Sequence, residues 1–246
     1  SRGLGDVYKR QVKYNGTNEK VKLQITCPDQ SCYTYLISDR GAYDTFPLTA
    51  GNGSYALQVL ENVAGDTYTV SLAQSINVSI EDEFLPFLYP NQYVNFHTDS
   101  KAVSKGSDLA KDTYSDLDVV QNIYNYVIKN ISYDTEKAQN VSYGYVPDID
   151  DTLSSKKGIC FDYAALMTSM LRSQNIPTKL EVGYSGDAYH AWISTYIDDK
   201  GWVDDIIQFN GDTWQIMDPT LAATNDSAAV KKYVGDGSHY IVKYTY

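Results

Sequence analysis

Gly158-Ile-Cys-Phe-Asp-Tyr-Ala-Ala-Leu-Met-Thr-Ser-Met-Leu171 is the stretch around which the rest of the chain can be arranged. Ala164, Leu166, Met167, Met170 and Leu171 recur at helical spacing, Asn175 supplies a left-handed C-cap, and Pro177 prevents continuation. Cys160 therefore falls at or just before the first turn of a helix, with Gly158 permitting close backbone approach. A thiol at that place feels unpaired amide donors and the positive end of the helix dipole. Such surroundings lower a thiol pKa and favour the nucleophilic thiolate. Taken alone, a cysteine on an Ala/Leu/Met helix is more often a small core hydrophobe.

Downstream of that helix, strands alternate with turns. Residues 178–184 lead through Ser185-Gly186-Asp187 into 189–197, and 206–209 and 213–217 flank Asn210-Gly211, a strong hairpin signal. Residues 240–246 form a last strand. In this reading His190 opens one strand and Asp218 closes a neighbouring antiparallel one. Upstream, Ser107 or Asp108 caps a helix reaching about Lys129, on which Leu109, Leu117, Val120, Ile123, Tyr124, Val127 and Ile128 recur at spacings of three and four. Residues 133–153 read as irregular.

A helix-borne thiol, a strand-borne imidazole and a strand-borne carboxylate are the nucleophile, base and orienting group that acyl transfer requires. His190 follows Cys160 by 30 residues, and Asp218 follows His190 by 28. The GICFDYAAL segment, the HAW motif at His190 and the DPT motif at Asp218 together resemble the transglutaminase-like superfamily, whose members share a papain-like thiol fold. The resemblance spans about 108–246. It implies Cys160 as nucleophile, His190 as general base and acid, and Asp218 as the group that orients His190. It also implies an α+β fold with a helix packed on an antiparallel sheet. Tyr145, in the loop before the nucleophile, is the candidate upstream oxyanion donor, with a packed aromatic as the plainer reading. Trp192 is expected to shield the His190–Asp218 pair, with Trp214 behind it. Asp162 and Tyr163 serve equally well as cap and core. His97 and His239 are alternative bases without so well placed a carboxylate.

From residue 12 to about 80 the pattern changes to short alternating runs: 20–26, 31–38, 54–61, 67–74 and 76–80, with Gly-Asn-Gly at 51–53 and Ala-Gly-Asp at 64–66 as turns. This spacing suits an immunoglobulin-like β-sandwich over 12–82. Tyrosines such as Tyr33, Tyr35, Tyr55 and Tyr68 fall on these strands, as half-buried sheet residues or as a sugar- or protein-binding face. Cys27 and Cys32 flank a plausible hairpin turn and either close a disulfide or stay as free thiols. Residues 83–107, with Pro86, Pro90 and several large apolar groups, read as a packed connector, because a flexible linker would be polar and Gly/Ser-rich. The catalytic domain is expected over 108–246. Residues 1–11 (SRGLGDVYKRQ) show neither strand nor helix period. They resemble the in-frame translation of a transposon adapter from sequencing libraries, so they are expected not to be native and the true start to be missing.

The 246 residues carry 20 basic and 31 acidic side chains, a net charge of −11, which disfavours a nucleic-acid surface. No apolar run approaches the roughly 20 residues of a membrane helix. Three cysteines and three histidines support neither a disulfide framework nor a multi-zinc scaffold. Asp148, Asp150 and Asp151 lie close together but lack the Gly and terminal Glu of an EF-hand. No cofactor or metal is therefore expected, and the partner is a protein or peptide substrate, including one of the cell envelope. The preferred expectation is peptide or amide hydrolysis through a thioester at a bacterial cell surface. Glutamine–lysine cross-linking and a non-catalytic binding or structural role are the alternatives.

Overall fold

A computed structural model describes residues 7–37, 41–185, 188–210, 212–217 and 240–246. The chain forms two compact units. One takes the residues through Pro86 together with Ser142–Tyr145; the other takes Phe87–Val141 and Val146–Tyr246.

The first unit is all β in its regular elements: β1 (Lys9–Lys13), β2 (Val21–Thr26), β3 (Cys32–Leu36), β4 (Tyr43–Pro47), β5 (Gly53–Ala64) and β6 (Thr67–Val78). An antiparallel sheet of order β3-β2-β5-β6 is accompanied by the antiparallel pair β1–β4. Val21, Leu23 and Ile25 are buried while the residues between them are half-buried, the two-residue period expected of β2. Tyr33, Tyr35 and Tyr55 are buried with Phe46 and Leu48, so these tyrosines fill core rather than present a binding face. Tyr55 can be buried because its hydroxyl donates to the Gly51 carbonyl at 2.7 Å and accepts from the Ala50 N–H at 3.1 Å.

Two expectations for this unit need correction, and the alternatives left open at Cys27 and Cys32 resolve to free thiols. Lys9–Lys13 pair with β4 through their backbone, although Lys9, Arg10 and Gln11 lie in the segment expected to lack strand structure; ladder bonds do not require side-chain alternation. Residues 67–78 are one strand, because the pairing of Ser75 with Ala56 carries the ladder through the expected break. Cys27 and Cys32 point to opposite faces. Cys32 stands opposite Thr26, and the Cys27 N–H bonds to the Ser31 carbonyl at 2.8 Å. Residues opposite one another share a face, so Cys27 turns inward and is buried while Cys32 is exposed; both are free thiols.

The second unit contains α1 (Lys101–Ala110), α2 (Asp116–Asn130), β7 (Ser132–Tyr133), α3 (Thr135–Asn140), α4 (Ile149–Ser155), β8 (Lys157–Gly158), α5 (Cys160–Ser173), β9 (Thr178–Ser185), β10 (Ala188–Ile197), β11 (Gly201–Phe209), β12 (Trp214–Ile216) and β13 (Tyr240–Thr245). The last five strands form one antiparallel sheet of order β12-β11-β10-β9-β13. The architecture is α+β, a central helix packed on an antiparallel sheet. α5 is buried on nearly all sides, as a central helix should be. Its Leu166, Met167, Met170 and Leu171 share a core with Val120, Ile123 and Val127 of α2 and with Ile193 and Ile207 of the sheet. α1 approaches α5 closely at Gly106, where a Cβ would lie 3.3 Å from that of Met170.

The single helix expected over 107–129 is in fact two. Asp112 takes a left-handed φ of 59°, and Ser115 starts α2 by accepting the Asp118 N–H at 3.2 Å. The stretch 133–153, expected to be irregular, contains α3 and α4. Three of its acidic residues cap helix starts: Asp134 accepts the Lys137 N–H, Asp148 accepts the Asp151 N–H, and Asp150 accepts the N–H groups of Lys101 and Ala102 at the start of α1. The end of α5 is as expected, with Asn175 left-handed at φ 62°. The strand that precedes Asp218 was expected beside the His190 strand, but β11 lies between β10 and β12.

Candidate active site

The backbone before α5 is extended at Ile159, with φ −86° and ψ 173°, so the helix opens abruptly at Cys160. Asp162, fully buried in the first turn, accepts the Ile159 N–H at 2.9 Å and pairs with the Lys137 ammonium at 2.9 Å. Close approach explains the residue at 158. A Cβ there would lie 2.7 Å from the Asp162 Cβ, so only glycine fits.

A short parallel bridge holds the segment from the other side. Tyr133 stands opposite Gly158, the Ser132 N–H bonds to the Lys156 carbonyl, and the Asp134 N–H bonds to the Gly158 carbonyl, both at 2.9 Å. Tyr133 remains 45% exposed. Its phenol is held above the usual tyrosine range by burial and by the neighbouring Cys160 sulfur.

Cys160 is 8% exposed and packs with Val94, Ala164, Leu180, Val182, Ala191 and Phe209. Ala191 directly follows His190. Tyr189, which directly precedes it, packs on the same cluster and feels the Cys160 sulfur. On β10 successive side chains alternate faces, so with Tyr189 and Ala191 turned to the cysteine's cluster the His190 side chain takes the opposite side of the strand, with Trp192. The His190 ring stacks on Trp192, with centroids 5.7 Å apart and planes at 16°. Trp192 is buried and covers one face of the imidazole. Trp214 stacks on Tyr163 of α5 at 6.0 Å and tilts against Phe209 at 5.2 Å.

Asp218 and His239 lie outside the described residues. His97 is exposed beside the start of α1, where its N–H bonds to the Ser100 hydroxyl. The segment that carries Tyr145 clusters with the first unit, not with the unit that holds Cys160. Tyr133 is the tyrosine of the preceding loop that reaches the thiol electrostatically. It was missed because its position depends on a two-residue parallel pairing that has no sequence period. Among the described residues, no three His, Cys, Asp or Glu side chains converge as metal ligands.

The electrostatics correct one expectation. Burial pushes the Cys160 thiol up to about 12; the Asp162 charge pushes the same way, and the N–H groups of Phe161 and Cys160 pull against both. Burial also holds the His190 imidazole below its ordinary value. A helix N-terminus favours a thiolate, but here desolvation outweighs it. These surroundings favour a neutral thiol and a neutral imidazole at rest rather than the expected activated thiolate.

Residues 104–204 match the sequence model of the transglutaminase-like superfamily. Over this stretch, 101 of the 246 residues, the chain is similar to that superfamily. Over 118 residues the chain is 30% identical to the UPF0252 protein MJ1282 of Methanocaldococcus jannaschii, which covers 42% of this chain and 34% of that protein. Over 107 residues it is 30% identical to the kyphoscoliosis peptidase of Mus musculus, covering 38% of this chain and 16% of the peptidase. The chain therefore matches about a third or less of the length of either relative. A crystal structure of a candidate cysteine protease from Cytophaga hutchinsonii aligns with 82% of this chain and 72% of its own, at 15% identity and a TM-score of 0.43.

Proposed function

We propose that the transglutaminase-like domain performs thiol-dependent amide chemistry, with Cys160 as nucleophile, His190 as general base and acid, and Asp218 as the group that orients His190. The observation that carries this reading is the placement of Cys160 at the first residue of a buried helix, packed against the sheet whose strand β10 bears His190. The name of the mouse relative, a peptidase, supports hydrolysis as the first choice.

With both groups neutral at rest, the proton moves in step with attack. The sulfur bonds to the amide carbon as His190 takes the thiol proton, and the carbonyl π pair collects on oxygen. The Cys160 N–H and the Tyr133 hydroxyl are the donors proposed for that oxyanion. His190 then gives its proton to the departing amine, leaving a thioester. Water attacks the thioester while His190 accepts a proton again, and Cys160 leaves as the thiol once that proton returns. A lysine-like amine in place of water gives cross-linking.

The β-rich first unit fits a substrate-docking or spacer module of immunoglobulin type over 12–82, followed by the connector at 83–107. An extracellular or cell-surface bacterial setting with a protein or peptide substrate belongs to the same proposal. No described helix is long and apolar enough to cross a membrane.

The test uses fluorescently labelled casein, with and without dansylcadaverine, for the wild type and for Cys160→Ser and His190→Ala. Peptide release lost in both variants supports hydrolysis, and dansyl incorporation lost in both supports cross-linking. Turnover that survives Cys160→Ser overturns the reading. A wild type that yields neither product favours the non-catalytic alternative.

A further inference from the structure

We propose that Lys137 is a positioning residue for the Cys160 thiol: its ammonium, seated on the buried Asp162 carboxylate, holds the first turn of α5 closed and offsets the negative charge two residues from the sulfur. This inference rests on the reading of Cys160 as the nucleophile and adds to it a residue from a separate helix.

The geometry forms a closed ring of contacts. The Asp134 N–H bonds to the Gly158 carbonyl at 2.9 Å, and the Asp134 carboxylate caps α3 by accepting the Lys137 N–H at 3.0 Å. The Lys137 ammonium returns to the Asp162 carboxylate at 2.9 Å, and Asp162 accepts the Ile159 N–H at 2.9 Å. The ring starts and ends in the two residues that precede Cys160. Asp162 is wholly buried whereas the Lys137 side chain keeps 28% of its surface, so the lysine is the solvent-facing end of a pair whose other end cannot reach water.

Removing one partner of a buried pair leaves the other uncompensated. Without the ammonium, the Asp162 charge would act in full on a sulfur that burial already disfavours as an anion. The other titratable groups that act on Cys160 are the phenols of Tyr133 and Tyr189, both held above the usual tyrosine range. The His190 side chain takes the opposite side of β10 from Tyr189 and Ala191. A surface ion pair is worth little; this one differs because its acidic end is buried beside the nucleophile.

The test is the rate of iodoacetamide labelling at Cys160 at pH 8.5 in the folded full chain, which needs neither a substrate nor turnover. Lys137→Met is expected to slow labelling by roughly three- to tenfold, the change in thiolate fraction for about half to one pKa unit. Lys137→Arg should keep the wild-type rate. Lys137→Met combined with Asp162→Asn should recover it, since asparagine still accepts the Ile159 N–H without a charge. A simple loosening of the helix start would expose the sulfur and speed labelling, so faster labelling in Lys137→Met overturns the proposal, as does an unchanged rate. If Lys137→Met fails to fold, the comparison passes to Asp162→Asn alone, which must label faster than wild type; equal or slower labelling overturns the proposal. His190→Ala is labelled in parallel. An unchanged rate there would count against the thiol–imidazole reading while leaving the Lys137 comparison intact.

Discussion

Arg172 and Thr178 are joined by a two-pronged contact: Nε and Nη2 of the guanidinium both donate to the Thr178 carbonyl, at 3.0 and 2.8 Å. The same side chain donates to the carbonyl of Tyr89 at 3.0 Å and to that of Tyr246 at 2.8 Å. Burial pulls the guanidinium down to about 9, still charged at neutral pH. Near the C-terminal end of α5, where free carbonyls carry partial negative charge, a cation is well placed. Arg172→Met should cost about 3 kcal/mol of unfolding free energy, through carbonyls left without donors. Arg172→Lys, a point charge that cannot reproduce the planar fork, should fall between the two. Urea denaturation of the three proteins checks the order.

Stability should decline in alkali, and Cys160 should account for part of the decline. Its folded-state pKa, about 12, lies above the ordinary value of 9. Between those values the unfolded chain loses a proton that the folded chain keeps. Stability is therefore full below about pH 9 and falls as pH rises toward 12. Tyr55 and Tyr163, also pushed up to about 12, act in the same sense. Urea midpoints from pH 8 to 11 should show a shallower decline for Cys160→Ser than for the wild type. Equal slopes would mean that the thiol is not desolvated as described.

The opposed faces of Cys27 and Cys32 predict how the thiols respond to oxidation. Air or oxidised glutathione should not close a Cys27–Cys32 bridge in the folded chain. Ellman's reagent should titrate Cys32 quickly, while Cys27 reacts only after denaturation. Burial of Cys27 also keeps its thiol above the usual range. Peptide mapping under non-reducing conditions would detect a bridge if the hairpin twists enough to allow one.

Gly158→Ala tests the tight contact before the nucleophile. The new methyl would meet the Asp162 Cβ at 2.7 Å and the Thr152 Cγ2 at 3.2 Å. The expected loss is about 1–3 kcal/mol, the usual range for overpacking. Thermal unfolding measures it. Gly65→Ala is an informative contrast: a Cβ there meets nothing within 4 Å, so any loss comes from the positive φ of 49° alone.

The helix that starts at Cys160 was legible because each of its signals is local: the apolar period of Ala164 to Leu171, the left-handed Asn175 and the stop at Pro177. The division between α1 and α2 was not, since Leu109 and Leu117 continue one helical period across it. Only the local conformations of Asp112 and Ser115 reveal the break. β1 and β4 were missed because paired backbones need no alternation of side chains. The thiol's surroundings were half legible. A helix N-terminus can be read from sequence, but its competition with burial depends on Val94, Leu180 and Phe209, which are distant in the chain. The Lys137–Asp162 pair was illegible for the same reason, joining a six-residue helix to a buried turn 25 residues later.

The sheet order has a consequence for assembly in time. β9 to β12 follow one another in the chain and can zip together as successive hairpins, each closing a short loop. β13 docks at the far side, next to β9, about four strand spacings or roughly 19 Å from β12. Its pairing is the most non-local in the sheet and should form last. Until it does, one whole edge of β9 offers unsatisfied N–H and C=O groups to any passing chain. Aggregation during synthesis or refolding should start from that edge, and a slow refolding phase should report its closure.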